Sequence, residues 1–296
     1  MRGKSVREGM NHSVIGIAAA ILALQALPVR AVEIVVKGGD SIAFMGDSIT
    51  EFGVMFPVGY VHLVMRGLES QGIKATLIPA GRSGHKSNDM LARLQADVID
   101  KKPTWMTLSC GVNDVWHGAN GIPLPQYKTN ITAIVDKCQT AGIKVMILTA
   151  TVIGEQENPN NTKLAEYNDF LRSLAKEKKC LLADLNADLW AGLKGSAGKS
   201  NVFTCDGVHM APEGNILMAS GILRTFGMTQ PQIAKAEDAW RDVQNAVKVH
   251  GEQGLNLKQF AQLKALADKQ NLTTEAMINK AFADVVDDLL KASAVK

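Results

Sequence analysis

The chain has 296 residues, enough for one large core with a small appendage and too few for two large domains in tandem. Its 32 basic residues exceed the 29 acidic ones, but Arg2, Lys4, Arg7 and Arg30, against Glu8, all fall within the first 31 residues, and the remainder is balanced at 28 of each. That balance leaves no electrostatic footprint for nucleic acid or an anionic surface and suits small neutral substrates.

Early basic residues, an apolar stretch from Val14 to Leu27 and small residues around Val29-Arg30-Ala31 are the construction of a secretory leader. The stretch is short for a membrane span. The expectation is therefore a signal peptide over residues 1–31 and a secreted or periplasmic protein with no membrane span thereafter. An uncleaved anchor is the alternative.

From residue 41 to about 227, short apolar runs alternate with helical patterns, which argues for a parallel sheet covered on both faces by helices. The spacing predicts strands over 41–45, 75–79, 105–109, 144–149 and 181–184, and helices over 60–70, 87–100, 126–140, 162–178 and 212–226. Gly72, Gly142 and Gly227 stand where helices should stop, and Pro212 where one should start. From Pro231 the strand signal ends and helix formers dominate 232–249, 257–270 and 274–291, with Thr273 or Thr274 as a cap for the last. The expected organisation is a leader over 1–31, a hydrolase domain over 32–230 and a helical C-terminal extension over 231–296.

Four cysteines follow the leader: Cys110, Cys138, Cys180 and Cys205. In an exported protein Cys138 with Cys180 and Cys110 with Cys205 are plausible pairs, and buried free thiols are the alternative. No spacing resembles a zinc site, and no cofactor is called for.

Three separated segments carry chemistry: Gly46-Asp47-Ser48, Gly111-Val112-Asn113-Asp114 and Asp206-Gly207-Val208-His209. In an open parallel sheet the ligand crevice lies beyond the carboxyl ends of the strands, which is where Ser48, Gly81 and Asn113 fall. A hydroxyl at a strand-to-helix turn is exposed to a carbonyl, so Ser48 is the candidate nucleophile. His209 is the candidate base, and Asp206, three residues earlier, can hold its tautomer and orientation. The Asn113 amide can donate to an oxyanion, and Gly81, in the Pro79–Gly84 segment, can present an N–H with no side chain in the way. Asp47 and Asp114 are expected to support their loops.

As a set, these segments resemble the GDSL or SGNH hydrolase superfamily, marked by blocks carrying Ser, Gly, Asn and His. The resemblance runs from about Ser41 to Phe226. It implies a flavodoxin-like three-layer α/β/α sandwich with a five-stranded parallel sheet. It also implies Ser48, Asp206 and His209 as a catalytic triad, and the Ser48 N–H, the Gly81 N–H and Asn113 as the oxyanion hole. One departure stands out: Pro79 occupies the place of the family's Asn two positions before its glycine, so the amide that would pin this loop is missing.

Loops 115–125 and 154–162 should form the mouth of the crevice, with Trp116, His117 and Glu155 as substrate contacts. A polar mouth with one aromatic suits a short acyl ester of a carbohydrate, acetyl among them. A lysophospholipase- or thioesterase-like acyl hydrolase, an inactive carbohydrate-binding protein, and a scaffold built on the helical tail are the competing expectations.

Overall fold

The computed structural model describes residues 33–196, 201–243 and 257–293. The leader expected over 1–31 and the end of the helix expected over 232–249 lie outside the described residues. In chain order the elements are β1 (Ser41–Gly46), α1 (Ser48–Met55), α2 (Tyr60–Ser70), β2 (Thr76–Gly81), α3 (Ser87–Asp97), β3 (Trp105–Ser109), α4 (Val112–Trp116), α5 (Leu124–Thr140), β4 (Lys144–Leu148), α6 (Pro159–Glu177), β5 (Leu181–Ala183), α7 (Leu185–Lys194), α8 (Pro212–Thr225), α9 (Gln230–Arg241), α10 (Leu257–Lys269) and α11 (Thr274–Ser293).

The strands form one sheet in the order β2-β1-β3-β4-β5, and every pairing is parallel. This is the flavodoxin-like doubly wound order, with α2, α8 and α9 packed together over one face and α3, α5 and α6 over the other. Every residue of β3 is buried, as a central parallel strand covered on both sides requires. β2 lies at the sheet edge, where Pro79 sits opposite Phe44; an edge position tolerates a residue without an N–H. The core runs through Ile42, Phe44, Met45, Met106 and Ile147 of the sheet to Tyr60, Tyr127 and Tyr167 on the helices and Phe226 at the end of α8.

Beyond residue 230 the helical stretch divides. α9 starts at a capping box between Thr229 and Gln232 and buries Ile233, Ala236 and Trp240, so it packs with α2 and α8 as part of the first compact unit, which ends at Gln244. The expected boundary at 230/231 therefore falls inside a packed layer. α10 and α11 belong to a second compact unit that begins at Asn245, with Ala267 and Met277 buried.

All four cysteines are free thiols. Cys138 is buried against the Met106 sulfur, Cys110 lies beside Asp114, and the thiol of Cys205 faces the His209 carbonyl.

Candidate active site

β1 ends at Gly46, and the next residue caps the helix that follows: Asp47 accepts a 3.0 Å hydrogen bond from the Ile49 N–H. Ser48 thus opens α1, where the first backbone N–H groups lack intrahelical partners. Burial pushes the Asp47 carboxyl up to about 6 despite the Ile49 N–H, and the charge of Asp114 adds to the rise. Asp47 is therefore a buried cap, as expected of a loop-supporting residue.

The hydroxyl of Ser48 lies 2.9 Å from His209 Nε2, and His209 Nδ1 lies 2.7 Å from Asp206 Oδ2. A carboxylate only accepts, so Nδ1 carries the proton and the neutral ring leaves Nε2 to accept from the Ser48 hydroxyl. The other Asp206 oxygen accepts from the backbone N–H groups of Val208 and His209 at 3.0 and 2.8 Å. Partial burial opposes the charge on Asp206, but the hydrogen bonds from the His209 ring and these N–H groups outweigh it and hold the carboxyl below its usual range. Phe52, one turn into α1, packs its ring 5.0 Å from the imidazole.

Asn113 sits buried in the first turn of α4 and donates one amide hydrogen to the His85 carbonyl at 3.1 Å. No second acceptor for the amide appears among the described residues. Asp114 accepts from the N–H and hydroxyl of Ser87 at 3.0 and 2.6 Å, tying the start of α3 to α4. This is the supporting role expected of it.

Gly81 answers to packing. A Cβ there would stand 2.4 Å from the Glu51 backbone nitrogen, so this glycine lets the end of β2 approach α1. Gly84 is the residue in the turn itself, at φ +77°, immediately before the carbonyl that Asn113 holds. Two glycines three apart look alike in sequence, and only the turn geometry separates them. The loop that Pro79 leaves without a side-chain amide is held from α3 by Arg93, which donates to the carbonyls of Ala80 and Gly46, both at 2.8 Å.

Among the expected substrate contacts, Trp116 and His117 are exposed at the end of α4, with Trp116 retaining 44% of its surface. Glu155 is different. Its carboxylate accepts from the N–H groups of Val202, Phe203 and Thr204 and from the Thr204 hydroxyl, at 2.6 to 2.7 Å. Three of these donors meet Oε1 and one meets Oε2, so the carboxylate is bound by the protein's own backbone at the edge of the cavity beside Asp206.

A cavity of about 280 Å³ abuts Asp206 and is lined by Glu155, Gln156, Asn158, Asn201 and Gly207 among others. A larger one, about 420 Å³, lies between α7, α8 and α9 and is lined by none of Ser48, Asn113, Asp206 and His209. Among the described residues no group of His, Cys, Asp or Glu is arranged to hold a metal ion.

A doubly wound parallel sheet whose switch point carries a hydroxyl bonded to an imidazole–carboxylate pair defines an α/β hydrolytic enzyme. Residues 44–216 match the model of the GDSL-like lipase/acylhydrolase family, and the chain belongs to that family. An acetylxylan esterase of Geobacillus stearothermophilus is 26% identical over 214 residues, which span 65% of this chain and 96% of that protein. Esterase TesA of Pseudomonas aeruginosa is 27% identical over 58% of this chain and 80% of its own length. Among solved structures, the acetyl xylan esterase AlAXEase superposes with a TM-score of 0.59 at 33% identity, covering 62% of this chain and 98% of that one. The chain is a carboxylic ester hydrolase.

Proposed function

We propose that this esterase removes short acyl groups, acetyl foremost, from carbohydrate esters through an acyl-enzyme on Ser48. The observation that carries the reading is the continuous Ser48–His209–Asp206 chain at 2.9 and 2.7 Å. Ser48 Oγ attacks the ester carbonyl while its proton passes to His209 Nε2, and Asp206 steadies the imidazolium that forms. The Ser48 N–H, the remaining Asn113 amide hydrogen and the Gly84 N–H receive the oxyanion. In this reading the donor role expected of Gly81 passes to Gly84, the glycine of the turn beside Asn113. His209 returns the proton to the departing sugar oxygen. Water then repeats the sequence and frees the acid.

The acetylxylan esterases among the relatives and the exposed, polar-flanked Trp116 support a carbohydrate substrate. The leader-like first 31 residues support export to the periplasm or beyond. A specific observation favours a second reading: Met55 and Phe56 are 63% and 51% exposed, and Phe56 is 5.7 Å from the Phe52 ring that packs on His209. An acyl chain would find an apolar path there, as a lysophospholipase- or thioesterase-like enzyme needs.

Turnover on acetylated xylooligosaccharides and on acetyl and long-chain nitrophenyl esters, with Ser48→Ala as control, decides between them. The acetyl substrates should win, and Ser48→Ala should lose roughly four or more orders of magnitude in kcat, because the triad acts as a unit. Long-chain preference would transfer the assignment to the second reading. Wild-type turnover by Ser48→Ala would remove the acyl-enzyme.

A further inference from the structure

His209 must meet the hydroxyl of Ser48 to within a few tenths of an ångström, yet the two are built very differently. Ser48 is anchored between β1 and α1. His209 lies in the irregular segment between α7 and α8, 161 positions later in the chain. Segments of this kind are normally the mobile part of a fold. Something outside the segment has to hold it.

The 202–211 segment doubles back on itself. Thr204 forms an antiparallel bridge with Met210, the Cys205 N–H donates to the His209 carbonyl at 2.8 Å, and the Ala211 N–H donates to the Phe203 carbonyl at 2.9 Å. Residues 202–204 are thus one arm of a small hairpin whose other arm begins at His209. Every N–H of that first arm points at one group, the Glu155 carboxylate, and the Thr204 hydroxyl joins them. Successive N–H groups converging on an anion form a nest, and charge-assisted bonds of this kind are about twice as strong as neutral ones. The chain enters the nest through Asn201, whose φ of +54° lies in the left-handed region that Asn tolerates.

Glu155 is itself fixed. It leaves the end of β4 in a turn closed by two side chains of α6 and its cap: Asn158 donates to the carbonyls of Ile153 and Gln156, and Asn161 to those of Ile153, Gly154 and Gln156. The neighbouring Gly154 N–H donates to the Gly207 carbonyl at 2.7 Å, a second tie between the same two loops on the far side of the hairpin.

We infer that Glu155 is a positioning residue of the hydrolytic reaction: it clamps the Val202–Thr204 arm and thereby sets His209 against Ser48, rather than touching substrate. The inference rests on the proposed roles of Ser48 and His209. Partial burial works against the charge of Glu155, but the Thr204 hydroxyl and the three N–H groups outweigh it and keep the carboxyl ionised through the neutral range.

The test is steady-state kinetics of Glu155→Ala and Glu155→Gln on an acetylated oligosaccharide, with the rate of Ser48 labelling by a fluorophosphonate as a second readout. A displacement of about 1 Å costs on the order of 100-fold in rate, so Glu155→Ala should lose roughly 10- to 100-fold in kcat with KM within about twofold. Labelling should slow in parallel. Glu155→Gln keeps one acceptor oxygen but faces an N–H with its amide, so it should fall between Ala and wild type. A raised KM with unchanged kcat would restore the substrate contact and overturn the inference, as would wild-type values for both. Where Glu155→Ala does not fold, Thr204→Val removes a single donor; an unchanged kcat in folded Thr204→Val and Glu155→Gln also overturns it. Ser48→Ala, run alongside, tests the underlying reading separately: retained turnover there indicts the nucleophile and not the clamp.

Discussion

Replacing Arg93 with Leu should be the most damaging single change on the sheet side of the site. The guanidinium side chain is 8% exposed and reaches four groups: the Ala80 and Gly46 carbonyls, Asp97 at 2.9 Å and His85 Nδ1 at 3.0 Å. Leu fills much of the aliphatic space and supplies no donor. The Gly46 carbonyl keeps its bond from the Arg82 N–H, and Asp97 keeps its pair with Arg82, which moderates the loss. A buried acceptor left bare costs about 1–3 kcal/mol, and breaking a buried ion pair about 3–5 kcal/mol, so with those surviving partners the expected destabilisation is about 3 kcal/mol. For a domain of this size that is a fall in Tm on the order of 10 °C. Arg93→Lys keeps the charge but cannot fork to both carbonyls, and should recover less than half of the loss. Because Ala80 and His85 flank the turn that carries Gly84, kcat should drop as well. Urea and thermal unfolding with parallel activity measurements check both. An Arg93→Leu protein within about 1 kcal/mol of wild type, with unchanged kcat, would refute the reasoning.

Asn113→Ala removes one donor from the proposed oxyanion site and should cost roughly 100- to 1,000-fold in kcat with little change in KM, measured on nitrophenyl acetate. Asp47 makes a pH prediction of unusual sign. Its carboxyl sits at about 6 in the folded protein against 3.8 unfolded, so between those values the unfolded chain releases a proton that the native state retains. Stability from this group is therefore full below about pH 4 and lost as pH rises toward 6, by about 3 kcal/mol. Asp47→Asn, which retains an oxygen to accept from Ile49, should abolish that loss. Urea unfolding of both proteins at pH 4 and pH 7 measures it, and parallel stability curves would contradict the burial argument.

Much of the fold is legible in the chain because it depends on local periodicity. The five strands begin and end within a residue or two of where apolar runs place them, and the helix expected over 60–70 is α2 itself. The elements that escaped notice are α1, α4 and α7. α1 is eight residues long with Gly53 inside, α4 is five residues, and α7 carries Gly192, so none shows a sustained apolar period. They exist because capping, packing and the preceding strands hold them. α9 reads as an amphipathic helix in sequence, but that α2 and α8 are its partners is a fact of assembly.

The same division runs through the site. Ser48 and Asn113 stand out because a reactive residue type beside a glycine at a strand end is a local pattern, and Asp206 and His209 because they lie three apart around a turn glycine. The separate fates of Gly81 and Gly84, the Arg93 bonds to two strand ends, and the capture of Glu155 by three successive N–H groups are not local patterns. Each depends on which backbone arrives from elsewhere in the chain. A carboxylate on a polar loop looks the same in sequence whether solvent, a sugar or a backbone nest will face it. Residue chemistry and spacing determined the fold class and the chemical cast; tertiary structure alone decided which of those groups meet and which backbone holds them, because hydrogen-bond partners are chosen by distances that close only once the chain has folded.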